Sequence, residues 1–471
     1  MGEWVQVSLE SKLFQNVEES VLRKSAAALE NCFISETGGH SRFPGLKSFA
    51  TLGGNAPVYL HPWKAPIGDL VAVSNSRVFR INNAGAATDV TGVQVSGGRR
   101  VIFDETDDEL VMAAGAEIVR LAGATTEILS ADAPLSTHVG YIDGYLVAVE
   151  INSGRFQHST ANAFRTWDPL DTFVADGKPD EINGLLVSPY RELLLTGVDS
   201  IEQFERLPSG TTPFFRRWSV GEGVLAPYTL VAVDQGNYAM NSAYEFVRFT
   251  GQVSEPVGDD LGVTFEKVDD WTDAWAAPVQ VKGQKFIILQ MPKATNAYGT
   301  AGITCLYDYR QKKWYNLYGW DAGTPAKWPG CSYAEIWGRR FVGGNGVIYE
   351  FDTDVYANAG QVQRMLGRTA PLDQWGPSFV DNVRMRIKRG VGGSNEESVE
   401  PPKIAFRCIR DGVRRTKWKY KSLGRPGDDY NTIQFGGMGH AMSTWQFEWM
   451  VTDAVSVEIV KLEAEVRKSD G

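Results

Sequence analysis

Residues 69–81 read D-L-V-A-V-S-N-S-R-V-F-R-I, two apolar runs about a turn at Ser74 to Ser76. Forty positions on, residues 109–121 read E-L-V-M-A-A-G-A-E-I-V-R-L. Leu70 matches Leu110, Val71 matches Val111 and Val78 matches Ile118. Weaker copies follow at 144–157, 192–204, 236–249, 285–309 and 339–351, each an apolar run, a turn and a second run. A period of about 40–50 residues suits four-stranded propeller blades, because one blade cannot bury both its faces and must pack against neighbours around an axis. The copies predict an all-β chain with a β-propeller over residues 41–360, seven blades being the first choice and six or eight remaining open.

Outside the propeller the pattern changes. Residues 1–40 read as an N-terminal arm, in which Leu13, Val17 and Val21 fall at helical spacing on a thin face. Residues 361–380, polar and carrying Pro371 and Pro377, read as a connector. Over 381–471 the alternation is strong: Val383, Met385 and Ile387 alternate with Arg384, Arg386 and Lys388, and Trp418 and Tyr420 alternate with Lys417, Lys419 and Lys421. Trp445, Phe447, Trp449 and Val451, then Val455, Val457 and Ile459, add strands with one apolar face, and together these predict a C-terminal antiparallel β-sandwich. Residues 306–317, L-Y-D-Y-R-Q-K-K-W-Y-N-L, suit a blade edge with Trp314 packed between blades, the other reading being an aromatic ligand platform.

Composition agrees with a folded, mostly β protein. The 471 residues exceed what one hydrophobic core supports, and 49 glycines with 11% aromatic residues favour tight turns between half-buried strands. Residues 1–24 lack the apolar stretch of a secretion signal and no later run is long enough to span a bilayer, so synthesis in the cytoplasm and no membrane insertion are expected.

Catalytic and metal signatures are missing from the sequence. Cys32, Cys305, Cys331 and Cys408 form no C-x-x-C pair and read as reduced, buried thiols. His40, His61, His138, His158 and His440 show no ligand spacing and read as surface or loop residues. No nucleophile elbow, phosphate loop or complete dinucleotide fingerprint is present. The expectation is therefore no enzyme, no cofactor and no metal. The acidic cluster Asp104, Glu105, Asp107, Asp108 and Glu109 lacks calcium-loop spacing and reads as a solvated turn.

The net charge of −10 disfavours clamping of nucleic acid, which needs an excess of Lys and Arg facing phosphates. Residues 383–425 nevertheless hold 13 Lys or Arg against four acids, a local +9 that leaves −19 for the rest. Arg384, Arg386, Arg414, Arg415 and Lys417 are the candidate interface for an acidic partner surface, a solvated face being the competing reading.

Three stretches resemble one family. R-F-P-G-L at 42–46, G-L-L-V-S-P-Y-R-E-L-L-L-T-G-V-D-S-I-E-Q-F at 184–204, and residues 406–425 with D-G-V-R-R and L-G-R followed by 445–466 are similar to the packaged-DNA stabilisation proteins, also called tail accessory or nozzle proteins, of short-tailed phages of enteric bacteria. The sequence departs from that family in the acidic insertion 393–400 and around 269–275. The resemblance implies a virion tail protein: a homohexameric ring under the portal and adaptor that retains packaged DNA and lets it pass at ejection without specific binding. It also implies contacts with tail spikes or fibres and with a tail needle or plug. A carbohydrate-binding or carbohydrate-cleaving propeller is the alternative, and a protein-binding scaffold with no viral role is a third.

Overall fold

The computed structural model describes residues 2–9, 29–64, 68–207, 213–234, 236–257, 261, 264–265, 268–389, 401–424 and 431–469. The helically spaced Leu13, Val17 and Val21 and the insertion at 393–400 lie outside the described residues.

Each of the seven hairpins read from the sequence forms the second and third strands of a four-stranded antiparallel meander. Blade one comprises Val58–Trp63, Asp69–Ser74, Arg77–Ile81 and Ala87–Asp89, and blade two Ile102–Glu105, Leu110–Ala113, Val119–Leu121 and Thr126–Ile128. The offset of forty survives in the pairing: Leu70 faces Ile81 across the ladder, and Leu110 faces Leu121. Blades three to six span 136–174, 184–220, 224–256 and 275–316.

Blade seven draws on both ends of the propeller. Ser332–Ile336, Arg339–Gly343 and Val347–Asp352 are completed by Gly45–Thr51, which pairs antiparallel with Val347–Asp352. The ring is thus closed by ladder hydrogen bonds between segments some 300 residues apart. Ser332 Oγ also donates to the Val58 carbonyl at 2.6 Å, joining blade seven to blade one.

Why the second strands are continuous apolar runs follows from the packing. Successive side chains of a strand point to opposite faces, and a blade is covered on both. Leu193 and Leu195 pack towards blade three with Val147 and Phe156, whereas Leu194 packs towards blade five with Ala239 and Val247. Leu110 and Met112 likewise face blade one while Val111 and Ala113 face blade three. Each such burial is worth about 1.5–3 kcal/mol relative to exposure. Trp314 fulfils the inter-blade role expected of it, edge-on to Phe246 of blade five at 5.6 Å with its indole N–H on the Val257 carbonyl.

Two-residue turns with positive φ at both positions link first and second strands, at Asp143 and Gly144 in blade three and at Lys282 and Gly283 in blade six. That twist matches the flanking strands, and it is why Gly follows a polar residue there.

The C-terminal unit consists of two facing sheets. Ser378–Lys388 lies between Asn431–Ala441 and Glu458–Lys468 in one. Met365–Arg368, Trp445–Val451 and Lys403–Arg410 form the other. Val383, Met385, Phe406, Phe447 and Trp449 are fully buried between them, and Phe406 stacks on Phe435 at 4.9 Å across the interface.

Segments expected to be an arm and a connector supply strands here. Glu3–Val7 pairs with Glu458–Lys468, as does His40–Arg42, and Met365–Arg368 pairs with Trp445–Val451. Leu29–Glu30 pairs with Lys313–Asn316 of blade six on one side and Met365–Arg368 on the other, so one sheet runs from the propeller into the sandwich. Trp418 and Tyr420 do not join the core as expected: Lys419–Ser422 is an edge strand, Tyr420 is exposed, and Trp418 lies over the Arg407 guanidinium at 4.1 Å.

Candidate functional sites: the propeller axis and the basic face

Arg100 sits in the loop between blades one and two and reaches across the ring. Its guanidinium lies 5.0 Å from the Tyr59 ring, 5.1 Å from the Trp275 ring and 6.0 Å from the Tyr228 ring, which belong to blades one, six and five. Nη2 donates to the Cys331 carbonyl, at the start of blade seven, at 2.8 Å. Burial lowers its pKa, Tyr59 and Cys331 opposing that effect. Among the described residues no carboxylate forms an ion pair with it. A cation ringed by aromatic faces therefore fills the axis at this level.

Above it opens a cleft of about 700 Å³ lined by Arg99, Arg100, Tyr228, Tyr244 and the loop 268–273. Asp270 and Asp273 both pair with Lys293, at 2.7 and 3.2 Å. Two of its carboxylates are thereby held as a salt-bridged unit rather than as an acid and a base poised across a substrate.

The axis also collects residues that sequence reasoning placed elsewhere. His138 is buried, stacked on Tyr228 at 5.7 Å, and His61 stacks on Phe103 at 5.4 Å. Burial depresses the pKa of each to about 4. His40 and His158 are buried too, so the expectation of surface histidines fails for three of the five. On inner strands a neutral imidazole packs as a small aromatic ring; alternation with apolar neighbours at Val139 was the available signal.

The acidic cluster is only partly a solvated turn. Asp107 and Asp108 are exposed, but Glu109 is buried and pairs with Arg120 at 3.2 Å and with Arg165. Asp104 accepts the backbone N–H of Tyr141 in blade three at 2.6 Å, and burial raises its pKa to about 6. Among the described residues no three His, Cys, Asp or Glu side chains are grouped as metal ligands. The four cysteines are buried free thiols, with Cys305 pushed up to about 12 by burial.

The five basic candidates fall on two different sheets. Arg384 and Arg386 lie on the outward face of the strand Ser378–Lys388. Arg414, Arg415 and Lys417 lie along the edge of the other sheet and are exposed. Arg384 is engaged within the chain: Nε donates to Glu463 at 2.6 Å and the guanidinium covers the Trp4 ring at 4.2 Å. Glu463, held by Arg384 and Lys461, has its pKa depressed to about 2.

Closed meanders around a filled axis, with a sandwich fused by a shared sheet, define a β-propeller protein. Residues 27–248 match the family model described as "Bacteriophage P22 Gp10, beta-propeller", and over that stretch the chain is similar to the phage stabilisation proteins. The match runs from the sandwich-pairing strand Leu29–Glu30 into blade five. No curated protein matches the sequence. Among solved structures, a streptogramin B lyase is similar at 11% identity over 65% of this chain and 96% of its own, with a TM-score of 0.41. A virginiamycin B lyase from Staphylococcus aureus is similar at 11% identity over 63% and 94%, with a TM-score of 0.40. An exo-beta-1,3-galactanase from Phanerochaete chrysosporium is similar at 8% identity over 82% and 98%, with a TM-score of 0.29. Nothing about this chain's chemistry follows from those three.

Proposed function

We propose that the chain is a non-enzymatic structural protein of a short phage tail, forming a ring below the portal and adaptor that retains packaged DNA and conducts it at ejection. Spikes or fibres and a needle or plug would attach to this ring. The observation that carries the reading is the match of residues 27–248 to the phage stabilisation propeller. Two physical features support it. Arg100 and its aromatic ring fill the axis of the single propeller, so a duplex would have to run between subunits in the lumen of a ring. The net charge of −10 disfavours counterion-releasing contacts that would stall DNA in such a lumen.

The test is a virion assembled without this chain. Heads should fill but lose their DNA on storage, and negative stain should show no ring beneath the portal, with both defects repaired by adding the purified protein. Particles that lack the chain yet keep their DNA and their tails would refute the proposal.

A further inference from the structure

The cleft over the propeller axis carries a second inference. The Arg100 guanidinium donates to the Cys331 carbonyl, and among the described residues no carboxylate is hydrogen-bonded or ion-paired to it, Asp273 opposing the effect of its burial only at longer range. Arg99 stands exposed beside it on the rim. A buried cation with no anion in contact is costly, and a planar carboxylate matches the guanidinium fork. Tyr244, 45% exposed on the same rim, offers a ring face. Asp269 and the Lys293-paired Asp273, on the 268–273 loop that lines the same cleft, offer carboxylate oxygens as acceptors for hydroxyl groups.

We propose that this mouth binds a carboxylate-bearing sugar, such as the uronic acid unit of an acidic polysaccharide. One carboxylate meets the Arg99 and Arg100 end, the sugar ring lies against Tyr244, and its hydroxyls donate to the aspartates. The same aspartates select against polyphosphates and nucleic acid, whose charge is not confined to one end. A volume of about 700 Å³ is ample for such a ligand. This inference does not depend on the tail reading, and its failure leaves that reading untouched.

The experiment is a ligand-observed NMR titration of the full chain with glucuronate, glucose and inorganic phosphate. Glucuronate should bind at least tenfold more tightly than either of the others. Arg99→Ala should weaken glucuronate at least fivefold with an unchanged unfolding midpoint. Tyr244→Asn should do the same; Asn tolerates the φ of 62° at this position. Absence of glucuronate binding, phosphate binding as tight as glucuronate, or indifference to both substitutions would each overturn the assignment.

Discussion

Arg42 Nη1 donates to the Val455 carbonyl of the sandwich at 3.0 Å while Nη2 donates to the Tyr356 carbonyl, at the exit of blade seven, at 3.3 Å. The same guanidinium also reaches the carbonyls of Asp453 and Gln363. Its side chain is fully buried, and desolvation brings its pKa down to about 10, which leaves it charged at neutral pH. Lys282 of blade six adds a bond from Nζ to the Arg42 carbonyl at 3.2 Å. One residue of the R-F-P-G-L segment thus ties the two units together through backbone acceptors.

Replacing Arg42 strands those carbonyls in a dry interface. Arg42→Met should lower stability by at least about 3 kcal/mol, and Arg42→Lys should recover little, because a point ammonium cannot serve four acceptors spread around a planar fork. Guanidinium chloride unfolding measures this. A loss below roughly 1 kcal/mol would show that the carbonyls find water instead.

A repeated ion pair marks equivalent places in three blades. Arg80 pairs with Asp69 at 2.7 Å, Arg120 with Glu109 at 3.2 Å, and Arg339 with Glu350 at 2.6 Å, each pair eleven residues apart with one partner at the start of the second strand, or just before it for Glu109, and the other on the third. Blade seven carries the charges in the reverse order. Blade one should therefore accept reversal: Asp69→Arg alone should destabilise by about 1 kcal/mol, and adding Arg80→Asp should return most of it. A double-mutant cycle with no coupling would show the pair to be a screened surface contact.

The propeller was legible because its signal is local. Leu70 and Leu110 sit in hairpins closed within a dozen residues, and a constant period exposes their equivalence. Leu29, Val5 and Met365 were not legible as sandwich strands, since their partners, Gly367, Ala464 and Val451, lie 86 to 459 residues away and a short strand carries too few alternations to register. The axis was hidden for a related reason: Arg100 and Trp275 are 175 positions apart, and neither has a neighbour in sequence that announces the other. That the basic candidates divide between two sheets was not legible either, because counting charge along the chain ignores which sheet each strand joins.

Acid should weaken the fold before neutralising its surface acids. Burial holds His40, His61 and His138 near a pKa of about 4, against 6.5 for the exposed ring. As pH falls from 6.5 to 4 the unfolded chain takes up protons that the folded chain refuses, so stability falls across that window. Asp104, raised from 3.8 to about 6, acts the other way, because the folded state then binds the extra proton. With each unit worth about 1.4 kcal/mol, three histidines outweigh one aspartate and the net loss should be on the order of 5 kcal/mol. Denaturant titrations between pH 7 and pH 4 read this directly. His138→Phe, which keeps the stack on Tyr228, should remove about a third of the histidine slope; an unchanged slope would mean that His138 gains its proton in the folded state.

The last prediction concerns the sheet edge that carries Arg414, Arg415 and Lys417. These three are exposed, whereas Arg384 is already committed to Glu463 and is better left intact. Copies of a chain with net charge −10 repel one another, so assembly at low salt calls for an oriented positive surface where subunits or partners meet. Single exposed ion pairs contribute only about 0.2–1 kcal/mol, so one substitution should change little and the effect should be collective. The triple variant Arg414→Glu, Arg415→Glu, Lys417→Glu should keep the unfolding midpoint of the parent, because none of the three contributes to the buried core. Its incorporation into tails should nevertheless fall, and residual assembly should respond differently to salt, since added ions screen the new repulsion. Sedimentation of assembled particles at low and high ionic strength separates the outcomes. Normal assembly of the triple variant in both conditions would identify this edge as a solvated face and move the search for the contact surface to the propeller rim, where Leu170 is 88% exposed between Asp168 and Asp171.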